Sequence, residues 1–107
     1  MLEWLEEWYE SQCNGNWEHM FGIKIETLDN PGWDISIDLE DTDVNSAPKE
    51  WTLIENYEER WLGFRIKDNK FEGSCDPKNL GTLISVFKKI VDKNEINVSE
   101  VLSTLKI

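Results

Sequence analysis

The sequence predicts an α+β fold: an N-terminal helix, an antiparallel β-meander of four to five strands, and a C-terminal helix plus a short terminal helix packed on the sheet. Three observations carry this. Trp33, Ile35, Ile37 and Leu39 alternate strictly with Asp34, Ser36, Asp38 and Glu40, the period of a strand with one buried face. Leu80, Leu83, Ile84, Phe87, Ile90 and Val91 instead recur at helical spacing. Leu5, Trp8, Tyr9 and Gln12, with Trp4 beside them, make a second helical stripe near the start.

The first helix spans residues 2–13. Glu3, Glu6, Glu7 and Glu10 fall on the face opposite its apolar stripe. Like charges at that spacing cost helix stability, although Glu3 lies near the positive end of the helix dipole. They form either a solvated face or an acidic ridge for a basic partner. Asn14-Gly15-Asn16 ends the helix, with Gly15 as the left-handed cap.

A hairpin over residues 22–40 follows. Asn30-Pro31-Gly32-Trp33 fits a type II turn, with proline and glycine at its central positions. Its second strand offers Asp34, Ser36, Asp38 and Glu40 to water or a partner. Residues 41–49 make a polar loop carrying Asp41 and Asp43. Residues 51–57 and 61–68 read as two further strands joined by Glu58-Glu59-Arg60. Leu62, Phe64 and Ile66 face the core, while Arg65 and Lys67 point away, placed to neutralise carboxylates on a neighbouring strand. Lys70–Ser74 adds a short edge strand. Asp76-Pro77 opens the next helix, with Asp as N-cap and Pro at the first helical position. Asn97-Val98-Ser99-Glu100 has the form of a capping box. The short helix after it closes the core or packs on another copy of the chain.

The chain of 107 residues has the length of one domain, 1–107, with 94–107 as a terminal helical extension. It carries 22 acidic and 11 basic residues, a net charge of −11. That balance repels nucleic acid and anionic membranes and favours basic surfaces. The acidic N-terminus does not resemble a secretion signal, and no apolar run reaches the ~20 residues that span a bilayer. A cytoplasmic location with reduced thiols is expected. Cys13 and Cys75 lack the spacing of a zinc site, and they pair only if the fold brings them together.

No catalytic motif is specific. There is no Gly-rich phosphate loop, no G-x-S-x-G elbow and no H-E-x-x-H pair. His19, beside Glu18, is the only histidine; without a nucleophile or second ligand it reads as structural. Strand carboxylates two residues apart share a face, but so do those of most acidic strands. Trp33, Trp51 and Trp61 suggest a sugar- or peptide-stacking platform, except that Trp33 belongs to the core set. A small hydrolase-like enzyme using Glu18, His19 or strand carboxylates, and a carbohydrate- or peptide-binding module, are the alternatives to a protein-binding role.

The run Trp4-Leu5, Trp8-Tyr9, Ser11-Gln12-Cys13-Asn14-Gly15 and Trp17-Glu18-His19 continues into 22–33, GIKIETLDNPGW. Together with Asp68-Asn69-Lys70-Phe71 and Pro77-Lys78-Asn79-Leu80, it resembles the immunity protein 53 family of bacteria. The similarity covers roughly residues 3–91 and leaves out the tail after Asn94. The resemblance implies a toxin inhibitor of polymorphic-toxin or contact-dependent-inhibition systems. Such a protein is not an enzyme; it occludes a cognate toxin stoichiometrically. Many such toxins are nucleases with basic grooves, which agrees with the acidic composition. The residues expected to bind the toxin are Asp34, Asp38, Glu40, Asp41 and Asp43, with Glu3, Glu6, Glu7 and Glu10 as a second surface. No cofactor, metal, nucleic acid or membrane is expected, and the protein is a monomer or weak homodimer.

Overall fold

The structure, a computed structural model, describes residues 1–44, 47–57 and 59–107. Asn45 and Ser46 of the polar loop, and Glu58 of the link, lie outside the described residues. In chain order the elements are α1 (Leu2–Gln12), α2 (Trp17–Met20), β1 (Ile23–Leu28), β2 (Gly32–Asp38), β3 (Lys49–Glu55), β4 (Trp61–Lys67), β5 (Lys70–Cys75), α3 (Leu80–Lys93) and α4 (Val98–Thr104). The fold is α+β. Five strands form one sheet in the order β1-β2-β5-β4-β3, and every neighbouring pair is antiparallel. Strands β3, β4 and β5 make a meander, and the β1-β2 hairpin joins it along β5.

Period-two patterning sorts the two faces of the sheet. Ile35 and Ile37 of β2, Leu62, Phe64 and Ile66 of β4, and Phe71 and Cys75 of β5 are buried on one face. Helix α3 covers that face with Leu83, Ile84, Val86, Phe87 and Ile90. Phe87 is the hub: its ring centroid lies 5.0 Å from Trp8, 5.8 Å from Trp4 and 5.1 Å from Phe71. Two tryptophans of α1 thus reach the sheet through one phenylalanine. Among the described residues, α1, α3 and α4 all pack into the core cluster on this side, which leaves the other face of the sheet the open one.

The strand expected at the edge over Lys70–Ser74 is instead β5, Lys70–Cys75, in the middle of the sheet. Asp68 and Asn69 both adopt the left-handed conformation, φ 54° and 57°. That pair makes a tight hairpin whose twist matches its strands and returns β5 directly against β4. The buried face of β5 is Phe71, Gly73 and Cys75; the gap over Gly73 is filled by Leu83, which a Cβ there would meet.

Three local expectations are corrected. The Asn30-Pro31 peptide is cis, and Gly32 already pairs in β2 opposite Leu28, so the turn is Asp29-Asn30-Pro31 and not a type II turn centred on Pro31-Gly32. Glycine is needed at 32 because a Cβ would strike the carbonyl oxygen of Cys75 on β5. Helix α3 starts at Leu80 rather than after Asp76. The Asp76 carboxylate accepts from Lys78 N and Trp61 N, 2.9 Å each, and holds residues 76–78 in a turn. The C-cap of α1 is Cys13; Gly15, φ 92°, takes the left-handed turn two residues later.

Helix α4 is built in. Val101 and Leu105 are buried in the same core cluster as α3 and the sheet. The side chain of Asn79, fully buried, donates to Lys106 O at 3.1 Å and accepts from Lys106 N at 2.8 Å. Asn97 caps α4 through Glu100 N, 3.1 Å, but the Glu100 carboxylate turns to Lys89, 2.9 Å, instead of closing a capping box.

Candidate partner-binding surface

Residues 1–23 hold five glutamates and neither lysine nor arginine. On α1, Leu5 and Trp8 point into the core, so Glu3, Glu6, Glu7 and Glu10 are exposed by the geometry of the helix. Tyr9, expected in the apolar stripe, is also exposed. The segment then folds back into α2, whose Trp17 is buried against Trp8, Tyr9 and Phe21, with centroids 6.0–6.2 Å away.

The indole N–H of Trp17 donates to the carbonyl of Glu40 at 2.9 Å. This bond seats the loop after β2 against the acidic N-terminal segment. Thr42 closes that loop, with Oγ1 donating to Leu39 O at 2.7 Å, and Asp41 takes a left-handed conformation. Glu40, Asp41 and Asp43 are exposed there; Glu40 also accepts from Asn69 Nδ2 at 2.8 Å.

The strand carboxylates differ. Asp34 and Asp38 are half-buried and already partnered. Ser74 Oγ donates to Asp34 at 2.7 Å. Asp38 accepts from Gly22 N at 2.9 Å and faces Lys70 Nζ at 3.6 Å. Register explains this. One row across the open face runs Lys24–Ser36–Glu72–Arg65, the next Glu26–Asp34–Ser74–Gly63–Leu53, and a third Asp38–Lys70–Lys67. Arg65 reaches Glu72 across the strands at 3.2 Å, the neutralisation that the alternation predicts. With Glu55, these rows place five carboxylates among four cations, so the open sheet face is close to neutral. Seven exposed carboxylates lie instead on α1 and in the loop after β2.

Glu18 and His19 are not set up as an acid–base pair. The Glu18 carboxylate accepts from Asn14 N at 3.0 Å and Gly15 N at 2.9 Å. Its own backbone amide and these two hold its carboxyl below the usual range against partial desolvation. His19 is exposed and lines an open cleft of about 520 Å³ with Lys24, Asp38 and Lys70. Among the described residues, no group of three His, Cys, Asp or Glu side chains is placed to hold a metal ion. Both cysteines are free; burial, with the charge of Asp76, pushes the Cys75 thiol up to about 12. No helix of the described residues is long and apolar enough to cross a membrane.

The tryptophans divide. Trp33 packs on the core and donates to Pro77 O at 3.0 Å, as its place in the alternation predicts. Trp51 lies on the open face over Gly63, half-exposed. Pattern alone does not single out Trp51, but an isolated glycine inside an apolar strand signals a close approach from outside the sheet.

Neither the curated proteins nor the solved structures searched contain a match to the chain. The family model of immunity protein 53 matches residues 2–92, from the first residue of α1 to nearly the end of α3, and the chain belongs to that family.

Proposed function

We propose that this immunity protein binds a cognate polymorphic toxin in the bacterial cytoplasm and neutralises it by stoichiometric occlusion, without turnover. The observation that carries this reading is the N-terminal segment with five glutamates and neither lysine nor arginine, joined to the loop of Glu40, Asp41 and Asp43 through Trp17. An anionic surface of this kind steers association with a basic groove, such as that of a nuclease, where it takes the place of phosphate. The strand residues Asp34 and Asp38 contribute less, because both are half-buried and hydrogen-bonded within the sheet, and Asp38 also faces Lys70.

The test is a binding and protection assay with the toxin domain encoded beside the gene. Glu3, Glu6, Glu7 and Glu10 changed together to Gln should slow association by about tenfold and flatten its salt dependence. Asp41→Asn with Asp43→Asn should act in the same direction. Full protection is expected at one inhibitor per toxin. Protection at far lower ratios would indicate catalysis, and an unchanged on-rate would remove the acidic surface.

A further inference from the structure

On a chain of net charge −11, the open cleft beside β3 and β4 carries the opposite sign, more strongly than the His19 cleft, where Lys70 is paired with Asp38. The cleft beside β3 and β4 has a volume of about 330 Å³, and its lining includes Trp51 and Ile66 with Lys49, Arg65, Lys67 and Glu50, three cations against one carboxylate. Arg65 is answered by Glu72, whereas Lys49 and Lys67 make no ion pair among the described residues. Lys67 moreover sits directly opposite Lys70 in the β4-β5 hairpin, a like-charge pairing that works against the sheet.

A β-bulge shapes the same place. Lys49 pairs with Ile66 and Thr52 with Phe64, so β3 carries one residue more than β4 between these pairs. The extra residue re-aims Trp51 over Gly63 instead of leaving it opposite Arg65. A Cβ on Gly63 would overlap the Trp51 ring, which shows how closely the indole lies on the backbone of β4. Its other side is open: Trp51 is 49% exposed, and Leu53 beside it 50%. The result is a braced indole in a cleft whose lining includes both lysines, neither of them ion-paired among the described residues, ready for contact at little ordering cost.

We propose that this cleft receives a short acidic segment of the toxin, its carboxylates on Lys49 and Lys67 and an apolar side chain on the Trp51 indole. The proposal rests on the toxin-binding reading above and adds a second contact of opposite polarity. Charge complementarity selects the occupant. A polyanion such as nucleic acid is repelled by the rest of the molecule, while a basic protein with a local acidic segment is attracted to both surfaces. Two contacts of opposite sign also set the docking orientation, which one acidic surface alone leaves loose.

The experiment is equilibrium titration of the full chain with the catalytically inactivated toxin domain. Lys49→Glu with Lys67→Glu, both exposed, should weaken binding by about tenfold or more, and Trp51→Ala by a similar factor. Gly63→Ala keeps the indole but lifts it off the strand, and should also weaken binding while Lys49, Lys67 and the core are untouched. Unchanged or tighter binding by the double lysine variant overturns the proposal, since it would mean that a neutral or basic surface lies there. So does binding of a single-stranded oligonucleotide that the lysine variant loses. If the wild-type protein fails to bind the toxin, the proposed function falls and this contact with it. If only the glutamine variant of α1 binds normally, the acidic surface falls and the Trp51 cleft stands.

Discussion

Trp17 and Glu40 are 23 residues apart, yet the indole of one is hydrogen-bonded to the backbone carbonyl of the other at 2.9 Å. Trp17 is almost wholly buried and the bond is part-buried, so it fixes where the loop after β2 lies relative to α1. Trp17→Phe keeps most of the aromatic packing and removes the donor. It should cost about 1–3 kcal/mol in urea unfolding, because the Glu40 carbonyl loses its partner. The same variant should slow toxin association if the loop and the helix act as one surface.

Asp76 is the charged residue on which the end of β5 depends. Its carboxylate accepts from Trp61 N, Lys78 N, Asn79 Nδ2 at 2.7 Å and Arg60 Nη1 at 3.1 Å. Burial alone would raise its pKa, but these donors outweigh it and hold the carboxyl below the ordinary aspartate range. The folded value is therefore lower than the unfolded value of about 3.9. The stability it contributes is complete above that pH and is lost as pH falls through the folded value. Asp76→Ala should cost about 3–5 kcal/mol at neutral pH. The gap between variant and wild type in denaturant unfolding should narrow as the pH is lowered below 3.9, that reference value; a constant gap would contradict the linkage.

Two glycines should respond in opposite directions to alanine. At Gly32 the new Cβ meets the main-chain carbonyl of Cys75, which is held in the β2-β5 ladder and cannot swing aside. Gly32→Ala should lose about 1–3 kcal/mol. At Gly81, in the first turn of α3, nothing lies within 4 Å of the added atom. Gly81→Ala should gain about 0.5–1 kcal/mol by restricting the unfolded chain. Thermal unfolding of both variants tests the pair.

The segment beyond residue 92 lies outside the family match but inside the core. Removing residues 95–107 exposes the sites of Val101 and Leu105 and strips Asn79 of its Lys106 partners. The loss should be at least about 3 kcal/mol, from two buried aliphatic side chains. Urea unfolding of the truncated chain measures it, and an unchanged midpoint would show the tail to be dispensable.

Periodicity was enough to derive the long helices, the strands and most of the side chains that they bury, but not the short helix α2 or the exposure of Tyr9. The alternation over 33–40, the stripe of α3 and the Leu5–Trp8 face of α1 are local properties of the backbone geometry, and each emerges in the fold as the pattern dictates. The tryptophan-rich N-terminal run resembles the family whose model matches residues 2–92, while net charge indicates only a preference for basic surfaces. Long-range pairing decided the rest. The middle position of β5, the partnering of Asp34 by Ser74 and of Asp38 by Lys70, and the near-neutral open face all come from cross-strand register, which no single strand encodes. The tie between Trp17 and Glu40, and the brace of Trp51 on Gly63, join residues that no spacing rule connects. A carboxylate's place in the chain tells which way it points from its own element; only the neighbouring strand or loop determines whether its charge is still free for a partner.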